Sequence, residues 1–123
     1  MAKILTFFSR QALIGATLAD TDLYSEVLEV PEGSQLAVQF RVHMTNDEGL
    51  APTGVIQRCM DQRLTPTGVW SQVGTAMTVI ANPPPAFEVQ AISGLLRFVR
   101  AKVTAPPAGY FVVSFDGVLR EKV

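Results

Sequence analysis

A chain of 123 residues with 48% hydrophobic and only 17% charged side chains is sized for one domain, and it can hold a core without metal or disulfide staples. Ten Lys/Arg against eleven Asp/Glu give a net charge of −1 with no basic run, which argues against a nucleic-acid partner, because phosphate neutralisation calls for a cationic excess. Cys59 is the only cysteine, so an internal disulfide is excluded and a reduced compartment fits.

Low charge with a positive mean hydropathy has two readings, a large core in a compact sandwich or apolar surface that meets a partner. Little repulsion between copies also suits self-association. In chain order, Met1 to Phe8 starts like a signal peptide, but Ser9-Arg10-Gln11 interrupts the apolar run. No stretch approaches the roughly 18 apolar residues that span a bilayer, so no membrane partner is expected. Ile4–Phe8 suits a strand, whereas Gln11–Asp22 suits an extended arm. The expected division is therefore 1–22 as an N-terminal arm or edge strand, and 23–123 as a β-sandwich domain.

Tyr24–Val30 reads as the hairpin partner of the next segment, across the turn Pro31-Glu32-Gly33-Ser34. Gln35–Thr45 is the clearest strand. Leu36, Val38, Phe40, Val42 and Met44 alternate with Gln35, Ala37, Gln39, Arg41 and His43, a period of two with one buried and one wet face. A polar loop through Asn46–Gly49 leads to a strand at Val55–Met60, closed by a turn at Thr65–Gly68. Val69–Val73 and Met77–Ala81 follow as short strands separated by Gly74.

Asn82-Pro83-Pro84-Pro85 cannot pair in a sheet, since proline lacks the backbone donor. Phe87–Ile92 resumes an alternation through Phe87, Val89 and Ala91, Leu95–Thr104 is a further strand, and Ala105–Gly109 turns. Tyr110–Arg120 closes the chain with Phe111, Val113, Phe115 and Leu119 on one face, and Gly117 marks a bulge. About eight strands at roughly 8–12-residue spacing, with no amphipathic helix, indicate an all-β antiparallel β-sandwich of the jelly-roll kind. Leu36, Val38, Phe40, Val42, Phe111, Val113 and Phe115 form its expected core.

Catalysis lacks the groups it needs. His43 is the only histidine and lies on the wet face of its strand; Cys59 reads as a buried small hydrophobe. A Cys59/His43 nucleophile pair would need neighbouring strands. Asp47-Glu48 and Asp20-x-Asp22 lack calcium-loop spacing, and no phosphate-cradling, zinc-binding or hydrolase motif occurs. No enzyme, cofactor or metal is expected. Arg97 and Arg100 flank Phe98, as base-stacking sites do, but they point to opposite faces of a strand. Trp70, the only tryptophan, reads as a core plug or an interface anchor.

Three segments, Phe7-Phe8-Ser9-Arg10-Gln11-Ala12-Leu13, Val69-Trp70-Ser71-Gln72-Val73-Gly74-Thr75 and Leu96-Arg97-Phe98-Val99-Arg100-Ala101 before Tyr110–Phe115, share their order with a known group. In layout the chain resembles the small jelly-roll virion proteins of tailed bacteriophages, above all their capsid cement (decoration) proteins. That resemblance implies a homo-oligomer, a dimer or trimer, on the surface of a virion assembled in the host cytoplasm. Its partner would be the major capsid protein lattice, which it stabilises by bridging capsomers. The Arg97-Phe98-Val99-Arg100 element also resembles discoidin-like carbohydrate-binding sandwiches, though the paired cysteines many of those carry are missing. The N-terminal apolar residues Phe7, Phe8 and Leu13 and the loop prolines Pro84 and Pro107 are the expected interface residues. Rigid proline loops lose less entropy on docking than flexible ones.

Overall fold

The structure is a computed structural model that describes residues 2–60 and 70–120. The expected turn at Thr65–Gly68 and the first residue of the expected strand Val69–Val73 lie outside the described residues. Nine strands are present: β1 (Ala2–Ile14), β2 (Thr21–Tyr24), β3 (Leu28–Glu29), β4 (Gln35–Thr45), β5 (Thr53–Cys59), β6 (Ser71–Thr78), β7 (Ala86–Ile92), β8 (Phe98–Ala105) and β9 (Tyr110–Arg120). They form two antiparallel sheets, β1-β9-β4-β7 and β2-β8-β5-β6, with β3 paired to β8.

The pairing is nested: β1 with β9, β2 with β8, β4 with β7, β5 with β6. One long hairpin with β5 and β6 at its tip has thus been rolled up, and the β9–β4 and β8–β5 ladders close the roll. This is the winding of a jelly roll. Four connections meet at one end of the sandwich. Gly15 donates to the Gly109 carbonyl, Ala108 to Ala16, Asn46 to Tyr110, and Val79 to Pro52. No helix among the described residues is long and apolar enough to cross a membrane.

β4 and β9 form where their alternation places them, and all seven expected core residues are buried in one cluster. Phe115 anchors it, with Phe7 edge-on at 5.7 Å and Phe40 tilted against it at 5.3 Å. Gly54 admits these rings, for a Cβ there would lie 2.7 Å from Phe115.

Several expectations are corrected. Tyr24–Val30 is no hairpin partner of β4. β2, which ends at Tyr24, and β3 both pair with β8, and Ser25 between them exchanges hydrogen bonds with Ala101: its N–H donates to the Ala101 carbonyl and its Oγ accepts the Ala101 N–H. Pro31–Ser34 therefore carries the chain from one sheet to the other. Gly74 does not separate a pair of strands; it takes a φ of 76° in a bulge within the single strand β6. Gly117 is not a bulge, since it stays in register with Leu5 and Val38. Met44 is 59% exposed rather than buried. His43 is an extra residue against β9, and one extra residue reverses which face the next one occupies.

The same device acts twice in β1. Register shifts lie between Thr6 and Phe8, and between Phe8 and Gln11, where Arg10 takes a φ of 45°. The first lets both Phe7 and Phe8 enter the core.

Candidate docking face

The outer face of the four-stranded sheet has no layer of the described chain packed on it, and its composition is unusual for a wet face. One cross-strand row is apolar throughout: Ile4, Val118, Ala37 and Ala91, aligned across β1, β9, β4 and β7. Val89 and Phe87 extend it along β7. Ile4 is 76%, Val89 63% and Phe87 56% exposed. Beyond a polar band, Met44, Ile14 and Tyr110 form a second exposed apolar group near the loop end. Seven of the eleven exposed large apolar side chains among the described residues thus stand on this face. A shallow groove of about 550 Å³ runs over it, lined by Ile4, Ala37, Val89, Ala91, Gly117 and Val118.

β7 explains why this face is apolar. Its alternating set Phe87, Val89 and Ala91 would point inward by default, yet the register of Phe40 with Glu88 turns the other set toward the interior. β7 is the rim strand of its sheet, so Glu88 still reaches water, and Gln90 reaches across to β6.

The polar band is cationic. His43 Nε2 lies 2.7 Å from Ser114 Oγ, which accepts the Arg10 backbone N–H at 3.0 Å. Arg41 donates to Gln39 Oε1 at 3.2 Å, and its guanidinium carbon sits 5.9 Å over the Phe87 ring. Partial burial, with Arg10 and then Arg41 nearby, lowers the pKa of His43 below its ordinary 6.5. A neutral ring accepting the Ser114 hydroxyl proton satisfies both groups.

The Arg10 N–H donates to Ser114 Oγ, so that backbone donor is not free to hold a developing oxyanion beside the pair. Cys59 is buried on β5, in the other sheet, so the Cys59/His43 pairing across neighbouring strands does not arise. Among the described residues, no three His, Cys, Asp or Glu side chains gather to hold a metal.

The outer face of the second sheet is organised differently. Arg100 lies between the rings of Tyr24 and Trp70, 4.3 Å from each centroid, and donates to Gln57 Oε1 at 2.7 Å. Trp70 is therefore half-buried on an outer face and is not a core plug. Lys102 pairs with Asp22 at 3.6 Å and Arg97 with Glu29 at 3.4 Å.

Of the interface residues expected from sequence, Phe7, Phe8 and Leu13 lie in the core of their own sandwich. Pro84 is half-buried in the β6–β7 connection, and Pro107 is exposed in the β8–β9 connection at the same end of the roll. The residues of the apolar row carried no separate signal, since outward orientation depends on pairing register. No family model matches the chain, and no curated protein matches it in sequence.

Proposed function

We propose that this chain is a non-catalytic structural protein that docks on another protein through the outer face of its four-stranded sheet. Its partner, on this reading, is the lattice of a viral capsid, which it stiffens as a cement protein. The observation that carries the docking is the uncovered row Ile4, Val118, Ala37 and Ala91 with Val89 and Phe87 beside it, since patches of this kind mark interaction surfaces. The capsid as partner is supported by the resemblance in layout and by the jelly-roll winding. Repetition of a modest contact around a lattice gains strength by avidity.

The experiment is a heating series on capsids with and without the protein, at low salt and at about half-molar salt, where surface charges are largely screened. Protein-bearing capsids should melt higher in both, and Val89→Asp should abolish the difference while the purified variant stays folded. Equal melting, or detachment of the protein by salt alone, would sink the proposal. The sugar-binding alternative would use the Tyr24–Arg100–Trp70 face, and a glycan panel with Trp70→Ala as control separates the two. Each of those rings already gives one face to Arg100, which favours the docking reading.

A further inference from the structure

The ion pairs among the described residues belong to the second sheet and its edge, Lys102 with Asp22 and Arg97 with Glu29. Arg10 and Arg41, on the docking face, have no carboxylate within 4.0 Å among the described residues. Although the whole chain has a net charge of −1, among the described residues of that face Arg10, Arg41 and Arg120 stand against the single acid Asp116, with His43 between the first two. Covering the face would take these cations out of water, and a desolvated cation without a counter-charge is strongly unfavourable. The apolar row on the same face favours a dry contact over a loose, wet one.

We propose that the surface docked here presents one or more carboxylates, set among apolar side chains, to the group formed by Arg10, Arg41 and His43. The inference rests on the docking reading above and names the chemistry of its partner. Arg41 is already positioned by Gln39 and Phe87, so its planar fork can take a carboxylate in bidentate fashion with little further loss of freedom. His43 gains a reason to bind a proton once a carboxylate arrives. Tyr110 on β9, Asp116 on β9, Arg41 on β4 and Arg10 on β1 are the other titratable or charged groups around it. Nucleic acid is a poorer match, because its affinity comes from many phosphate contacts and gains little from an aliphatic row.

The test uses the intact protein and three capped pentapeptides, Leu-Glu-Phe-Glu-Leu and its Lys and Gln counterparts, with a thymidine oligonucleotide as a fourth probe. Backbone NMR shifts report the site. The glutamate peptide should move the signals of Arg41, His43, Val89 and Ser114. It should bind about tenfold tighter than the lysine peptide at low salt, the worth of one charge-assisted pair, and the ratio should shrink as salt rises. It should also raise the His43 pKa, a change that packing alone would not produce. Arg41→Gln and Arg10→Gln should remove the preference for the glutamate peptide over the glutamine peptide. Equal binding of the Glu and Gln peptides at this face overturns the carboxylate inference and leaves the docking reading standing. Tighter binding of the oligonucleotide also overturns it. If no peptide moves these signals, both fall.

Discussion

Gln90 on β7 holds the backbone of Thr75 on β6 from both sides, accepting the Thr75 N–H at 3.2 Å and donating to the Thr75 carbonyl at 3.2 Å. It also donates to the Thr75 hydroxyl. A side-chain amide thus does for the bulge at Gly74 what a ladder would do for a flat strand, and it straps the rim of one sheet to the rim of the other. Gln90→Ala should lower stability by about 1–2 kcal/mol, the worth of two backbone hydrogen bonds in a partly wet site. A shift of the urea midpoint at unchanged slope would register it, and an unchanged midpoint would contradict the strap.

Gly54→Ala should cost about 1–3 kcal/mol by overpacking, since the new Cβ meets Phe115 at 2.7 Å and Phe40 at 3.1 Å. Adding Phe115→Leu should recover some of that loss, because the colliding ring edge is removed. A double-mutant cycle on thermal unfolding measures the recovery, and strict additivity would show that the two positions do not meet.

The pH dependence follows from His43. Its folded pKa is lowered, by burial first and then by Arg10 and Arg41, so on acidification the unfolded chain takes up this proton before the folded one does. His43 therefore leaves stability unaffected well above 6.5 and reduces it as pH falls through 6.5 toward the lowered folded value. Denaturant unfolding between about pH 8 and about pH 5 should show this decline, and His43→Gln should flatten the curve over that range. An unaltered curve in the variant would assign the decline to the carboxylates instead.

Trp70 is the chain's only tryptophan, so its fluorescence reports the Tyr24–Arg100–Trp70 stack directly. Arg100→Met should change the emission maximum and cost about 1 kcal/mol, the size of a cation–π contact near a surface. Arg100→Lys should restore only some of this, for an ammonium cannot lie flat between two rings. Identical emission in all three proteins would mean that the stack does not persist in solution.

The elements legible in the sequence are those that local pattern determines. β4 and β9 are centred between partners on both sides, bury one face each, and so show a period of two that needs no knowledge of their neighbours. Tyr24–Val30 misleads because a turn motif does not say which strand it delivers the chain to, and here β8 is the partner, far along the sequence. The bulges at Phe7, Arg10, His43 and Gly74 are invisible to alternation, yet each decides which face the next residues occupy. The docking face is hidden for the same reason. Phe87, Val89 and Ala91 are visible as an alternating set, and only register with β4 turns that set to the outside.

The nested pairing also sets the order in which the chain can become a sheet. β5 and β6 are neighbours in sequence and can meet early, whereas β1 and β9 join opposite ends. β9 lies between β1 and β4, so the four-stranded sheet has no continuous ladder until β9 arrives. Until β9 pairs, Phe40, Val42 and Phe7 lack their Phe111, Val113 and Phe115 neighbours, and distant pairings of this kind close slowly. Losing β9 would remove the centre of the sheet rather than trim its edge, and the apolar row would not exist in fragments that stop short of it.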